Sequence, residues 1–145
     1  MAKKTSTGTA FGIKLRGIEL LNVSLIRLEH SSKNLSTFLY NVRIVQDIDK
    51  NKKLVFIIVH VDIHSTEEKK DVGSLSVSHI YELANFEEAI TILDEHNFKI
   101  SESLNDILNS ISISTTRGVM FSTYKGTFLH NALLPIVNPK HLEKT

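Results

Sequence analysis

The stretch "KKLVFIIVHVDIHSTEEKKDVGSLSVSHIYEL", Lys52 to Leu83, decides how the chain folds. Its first part, Leu54 to Ile63, is apolar at both parities of a two-residue repeat. That pattern predicts a central strand covered on both faces. A polar, turn-sized link, "STEEKKD", follows. In the second part Leu75, Val77, His79, Tyr81 and Leu83 alternate with Ser74, Ser76 and Ser78. This is a strand with one buried face. Two such strands joined by so short a link pair antiparallel.

The pattern extends in both directions. Upstream, "STFLYNVRIVQDI" alternates through Phe38, Tyr40, Val42 and Ile44, and "DIDKNKK" is again turn-sized. Three strands of an antiparallel meander result. Earlier still, "GIKLRGIELLNVSLIRLE" runs through Ile13/Leu15, Ile18/Leu20 and Val23/Leu25, with slips of phase at Gly17 and near Leu21 and Ile26. A long first strand interrupted by bulges explains those slips. Residues 1–10, "MAKKTSTGTA", read as a short flexible tail ahead of a single domain, 11–145.

Downstream of residue 85 the period changes. "NFEEAITILDE" places Phe86, Ile90 and Leu93 at helical spacing behind Asn85, a short capped helix. A long helix follows, capped by Ser101 or Ser103 and running toward Lys125, with Leu104, Ile107, Leu108 and Ile111 on one face. Gly118 is its candidate close-packing position, and Gly126 ends it. The fold class is therefore α+β: a four-stranded antiparallel sheet with a long C-terminal helix on one face.

Composition narrows the function. The 145 residues are 41% hydrophobic and 23% charged, with a net charge of +1. The sequence pI of about 8.0 and scattered Lys and Arg give no footprint for nucleic acid. There is no cysteine, so disulfides, thiol catalysis and cysteine-based zinc sites are excluded. No run of apolar residues reaches the length of a membrane span, and the start is not a secretory signal, so the cytoplasm is the expected location.

Catalytic and cofactor patterns fail on inspection. His60, Asp62 and His64 share one strand face, but same-face neighbours stand about 6.6 Å apart in a line and do not converge on an ion. Asp47, Asp49 and Asn51 begin like a calcium loop. Lys52 and Ile58 then occupy the places of its glycine and glutamate. His79 reads as a hydrogen-bonded, partly buried residue. No Gly-x-Ser-x-Gly or phosphate loop is present. The chain is expected to be no enzyme and to need no cofactor or metal.

What remains is apolar surface. "KGTFLHNALLPIVNP", Lys125 to Pro139, is densely apolar, yet Pro135 forbids a continuous helix through it. One long helix covers one face of the sheet. Either this tail closes the second face internally, or the protein oligomerises or keeps an apolar groove for a ligand.

That tail resembles the helix-to-lid segment of SecB, the bacterial protein-export chaperone family. Members show a basic residue, Gly-Thr-Phe, a short apolar run, a proline and an asparagine. Lys125, Gly126, Thr127, Phe128, Leu133, Pro135 and Asn138 sit at matching intervals. The order of elements agrees from about residue 11 to 142. The resemblance implies a homotetramer, a dimer of dimers, that binds nonnative polypeptides, either preproteins for translocation or an antitoxin. It implies a client groove lined by Phe38, Tyr40, Val42 and Phe56 with Phe128, Leu129, Leu133 and Leu134. It also implies subunit contacts through Val23, Leu25, Leu104, Ile107, Leu108 and Ile111. Docking to the motor SecA, a further implied partner, uses acidic sheet residues in the family. Here the turns carry Lys52, Lys53, Lys69 and Lys70 instead.

Overall fold

The computed structural model describes residues 12–26, 37–141 and 143–144. The expected tail, 1–10, lies outside them. Four long strands come first: β1 (Ile13–Leu25), β2 (Phe38–Asp49), β3 (Leu54–Ser65) and β4 (Lys70–Leu83). β2, β3 and β4 form the antiparallel meander, and β1 pairs antiparallel with β4, giving the order β1-β4-β3-β2. The backbone of Glu143–Lys144 (β7) adds in parallel outside β2, against Arg43 and Ile44. The register of β1 on β4 shifts between Leu15 and Gly17 and between Leu20 and Asn22, where the hydrophobic phase slips in the sequence.

After β4 the structure departs from expectation. α1 (Phe86–Ala89) is a single turn, and β5 (Ile90–Ile92) then pairs with β6 (Phe98–Ile100) in a small hairpin. Four residues do not propagate a helix, and the alternating "ITIL" run is equally a strand pattern. The Asp94 carboxylate fixes the intervening turn, accepting from the backbone N–H groups of His96 and Asn97 at 2.8 and 2.9 Å. Phe86 and Ile90 are buried, whereas Leu93 is exposed.

The long helix α2 (Glu102–Thr123) matches its expected span. Ser101 stands at the N-cap without a side-chain capping bond. Past the end of the helix Gly126 takes φ +82°, a conformation suited to glycine. A short 3-10 turn, η1 (Pro139–His141), lies against α2.

α2 packs over β3 and β4. On that helix side of the sheet Val55, Ile57, Val59, Val61 and Ile63 are essentially fully buried. The opposite side of β3 is half-buried and, among the described residues, carries no covering element, unlike the expectation of cover on both faces. There Phe56 stands beside Ile80, and Ile58 beside Val45; the neighbours shield one another.

Candidate functional site

The segment after α2 is a bent flap. Leu129, Ala132 and Leu134 point inward, at 0, 2 and 1% exposure, whereas Leu133 and Ile136 point outward at 53 and 93%. Leu129 seats in a notch of the sheet. A Cβ on Gly73 would stand 2.6 Å from Leu129 Cδ1 and 3.1 Å from the Ser24 carbonyl oxygen. A glycine inside a strand pattern marks such a close approach, and this was the legible sign that the flap lands there. Tyr124 closes the same corner, donating to the Ser74 carbonyl at 2.8 Å. Burial pushes the Tyr124 phenol up to about 12, so it remains a donor.

Two anchors hold the flap across its bend. Arg117 of α2 donates from Nε to the Leu134 carbonyl at 2.6 Å and from Nη2 to the Pro135 carbonyl at 2.9 Å. On the sheet side, Tyr40 meets Leu133. Burial raises the Tyr40 phenol above its ordinary range, and a hydrogen bond from the Leu133 backbone partly offsets this. Further along, the Lys140 ammonium lies 3.5 Å from the Asp106 carboxylate.

The residues named for a groove therefore divide. Phe38, Tyr40 and Phe128 are half-buried and pack against the core, and Leu133 is exposed. Leu129, Leu134 and Val42 are buried in this chain's own core. Phe56 does not join them. It projects from the outer face, opposite Phe38, Tyr40 and Val42, because its parity along β3 is the outward one. Ile136 counts among the tail's apolar residues in the sequence but was not named for the groove, because a residue between two prolines carries no periodic signal.

A recess of about 640 Å³ opens where α2 meets the flap, lined by Phe121, Lys125, Gly126, Thr127, Phe128, His130 and Asn131. Phe121 is 57% exposed there, and it too went unnamed by sequence reasoning. It lies at heptad spacing from Ile107 and Ile111 through Ser114 and Gly118, a stripe that is exposed throughout.

A second apolar surface runs along β1. Leu15, Ile18, Leu20, Val23 and Leu25 pair in register with Tyr81, His79, Val77, Leu75 and Gly73, which places them on the helix side of the sheet. α2 does not extend over them, and each remains exposed. Of the residues named for subunit contact, Val23, Leu25, Ile107 and Ile111 are exposed, but Leu104 and Leu108 are fully buried inside the chain. Gly118 packs against nothing: a Cβ there would meet open space.

The buried face of α2 is rotated from the expected one because its polar residues face the sheet. Gln46 Nε2 donates to Asn105 Oδ1 at 2.6 Å and to Asn109 Oδ1 at 3.1 Å. Tyr81 and Ser112 share a 2.8 Å hydroxyl–hydroxyl bond. His79 Nδ1 lies 2.8 Å from the Ile57 carbonyl, and its Nε2 lies 3.4 Å from Thr116 Oγ1. Burial lowers the His79 pKa, and the bond to Ile57 opposes this in part. The imidazole is a neutral link in the seam, with no substrate access.

The outer face holds polar pairs: His60 with Ser76 at 2.7 Å, and His64 with Asp71 at 3.1 Å. Among the described residues no three His, Asp or Glu side chains are placed to hold a metal ion. No helix of the described residues is long and apolar enough to cross a membrane.

Helix, sheet and flap together define a SecB-like fold. Among solved structures, the chain is similar to the SecB-like chaperone Rv1957 of Mycobacterium tuberculosis, solved in complex with a ChAD peptide from the antitoxin Rv1956 HigA1. The match has a TM-score of 0.56 at 9% identity and covers 86% of this chain and 89% of that one. A Streptococcus agalactiae protein of unknown function matches with a TM-score of 0.40 at 11% identity, over 81% of this chain and 90% of that one. No family model matches the sequence, and no curated protein is similar to it.

Proposed function

We propose that this protein is a SecB-like chaperone, a holdase that keeps nonnative polypeptides from aggregating and performs no catalysis. The observation that carries the reading is apolar surface that the described residues leave uncovered: Leu133, Ile136 and Phe121 around the flap, and the β1 row from Leu15 to Leu25. Each apolar side chain of a client buried on such a surface contributes about 1.5–3 kcal/mol. Ordering the client costs much of that. Several weak contacts therefore hold an unfolded chain while allowing it to leave.

The two surfaces divide the work. The flap side, with Phe38, Tyr40, Phe128 and Leu133, takes clients. The β1 edge and the Ile107–Ile111 stripe take further copies of the same chain, as a dimer of dimers. Docking to SecA would call for an acidic outer sheet face. This one mixes Arg43 and His60 with Asp62, so holding clients, in the cytoplasm, is favoured over coupling to that motor.

A stoichiometric aggregation assay with several unrelated unfolded proteins tests the proposal. Slowed aggregation of all of them supports a general holdase. The antitoxin peptide held by the M. tuberculosis structure favours a second reading, a chaperone dedicated to one client such as an antitoxin. Protection of a single partner, captured alone from the native cell, supports that one. No protection and no complex with any client would sink both.

A further inference from the structure

The flap's outward residues need something to fix them. From residue 132 to 138 the chain has no regular secondary structure, and Pro135 has no N–H to give to a ladder. Among the described residues no backbone–backbone bond joins residues 133–138 to the helix or the sheet. Inward burial of Leu134, packing of Val137 and the bond between the Leu133 backbone and Tyr40 hold the sheet side of the bend but leave its helix side free to swing. Arg117 removes that freedom. Its guanidinium spans the two successive carbonyls of Leu134 and Pro135, at 2.6 and 2.9 Å, on either side of the bend. A rigid planar fork with two bonds fixes direction as well as distance, which one bond does not. Arg117 has no ion pair among the described residues, so its charge is committed to these carbonyls.

We infer that Arg117 is the positioning residue of the flap: it fixes the Leu134–Pro135 bend so that Leu133 and Ile136 stand outward as a preformed apolar ledge for a client chain. The inference rests on the chaperone reading for its ligand, but the latch itself is a property of this chain. Preorganisation is where it acts. A flap free to pivot must be ordered again by each client, and affinity falls accordingly.

The test uses the full chain and a permanently unfolded probe, reduced and carboxymethylated lactalbumin. Because the sequence contains no cysteine, Ile136→Cys supplies a single labelling site on the ledge. Arg117→Gln is expected to lower the fluorescence anisotropy of a label there. In the unlabelled chain it is expected to raise the probe's Kd about tenfold, while Tm moves by no more than a few degrees. Arg117→Lys, which keeps the charge but reaches one carbonyl at a time, is expected to fall between. Unchanged anisotropy in Arg117→Gln overturns the latch. A looser flap with unchanged Kd overturns its role in binding. Loss of the cooperative thermal transition overturns positioning in favour of a general structural role. If the unaltered protein binds no probe while the label still loosens, the chaperone reading falls, and the binding half of the inference with it, but the latch stands.

Discussion

The two outermost long strands of the sheet meet opposite fates. β2 runs without a bulge, and its helix-side residues Val42 and Ile44 are buried, at 7 and 1% exposure. β1 carries two register shifts, and its helix-side residues Leu15 to Leu25 remain 37–49% exposed. Both strands are comparably apolar on that side. They differ in what the described residues lay beside them: the flap reaches Tyr40 in the body of β2, whereas on β1 Tyr124 and the flap reach only the Ser24 end. Strand hydrophobicity therefore states a demand for cover without saying who meets it. The bulges on β1 twist the strand, one of the ways natural edges limit indiscriminate pairing.

The sharpest way to break this comparison is to cut equivalent side chains on the two edges. Ile44→Ala is expected to cost about 2–5 kcal/mol in chemical denaturation, as a core truncation does. Leu20→Ala should cost under about 1 kcal/mol in the same experiment. Equal losses would mean that both strands are core. Next in size, Gly73→Ala forces Leu129 or the Ser24 backbone to give way, and should cost about 1–3 kcal/mol by the same measurement. A neutral result there would show the flap is not seated on the sheet. Leu20→Lys with Val23→Lys tests the uncovered edge from the other side. Light scattering should show a smaller assembly while the thermal transition of the chain persists. An unchanged mass would remove β1 from the assembly.

The smallest expected effect follows pH. Burial holds the His79 pKa below its ordinary value near 6.5. His60 is also lowered, by burial first and then by Arg43, with Asp62 opposing. The unfolded chain therefore takes up protons before the folded one does. Stability is complete above about pH 6.5 and declines as pH falls below it, toward the depressed folded values. Tm should drop between pH 7 and 5, and His79→Gln should flatten that slope. A Tm that rises on acidification would contradict the buried neutral imidazole.

Much of this was legible in the sequence. The strands, the phase slips that became bulges, and the long helix ending before Gly126 follow from periodicity and glycine placement. Three things were not legible. The hairpin of Ile90–Ile92 with Phe98–Ile100 hid because Phe86, Ile90 and Leu93 fit a helical spacing, while Ile90 and Ile92 fit a strand alternation. The true inner face of α2 hid because Asn105, Asn109, Ser112 and Thr116 look like solvent positions until Gln46, Tyr81 and His79 are seen opposite them. At the candidate site, residue type distinguished apolar from polar but not inward from outward. Leu133 and Leu134 are identical neighbours with opposite exposures, decided by a bend that two carbonyl contacts hold.

The polar seam under α2 sets its seating. Sliding the helix one turn along the sheet would strand Gln46, Tyr81 and His79 against the wrong neighbours, and buried groups deprived of partners cost about 1–3 kcal/mol apiece. An all-aliphatic underside could settle at several heights; this one has a single stop. The ridge made by Ile107, Ile111 and Phe121 is therefore offered at one elevation and angle, like teeth cut on a keyed shaft, and any molecule that meshes with it meets a part that does not slide.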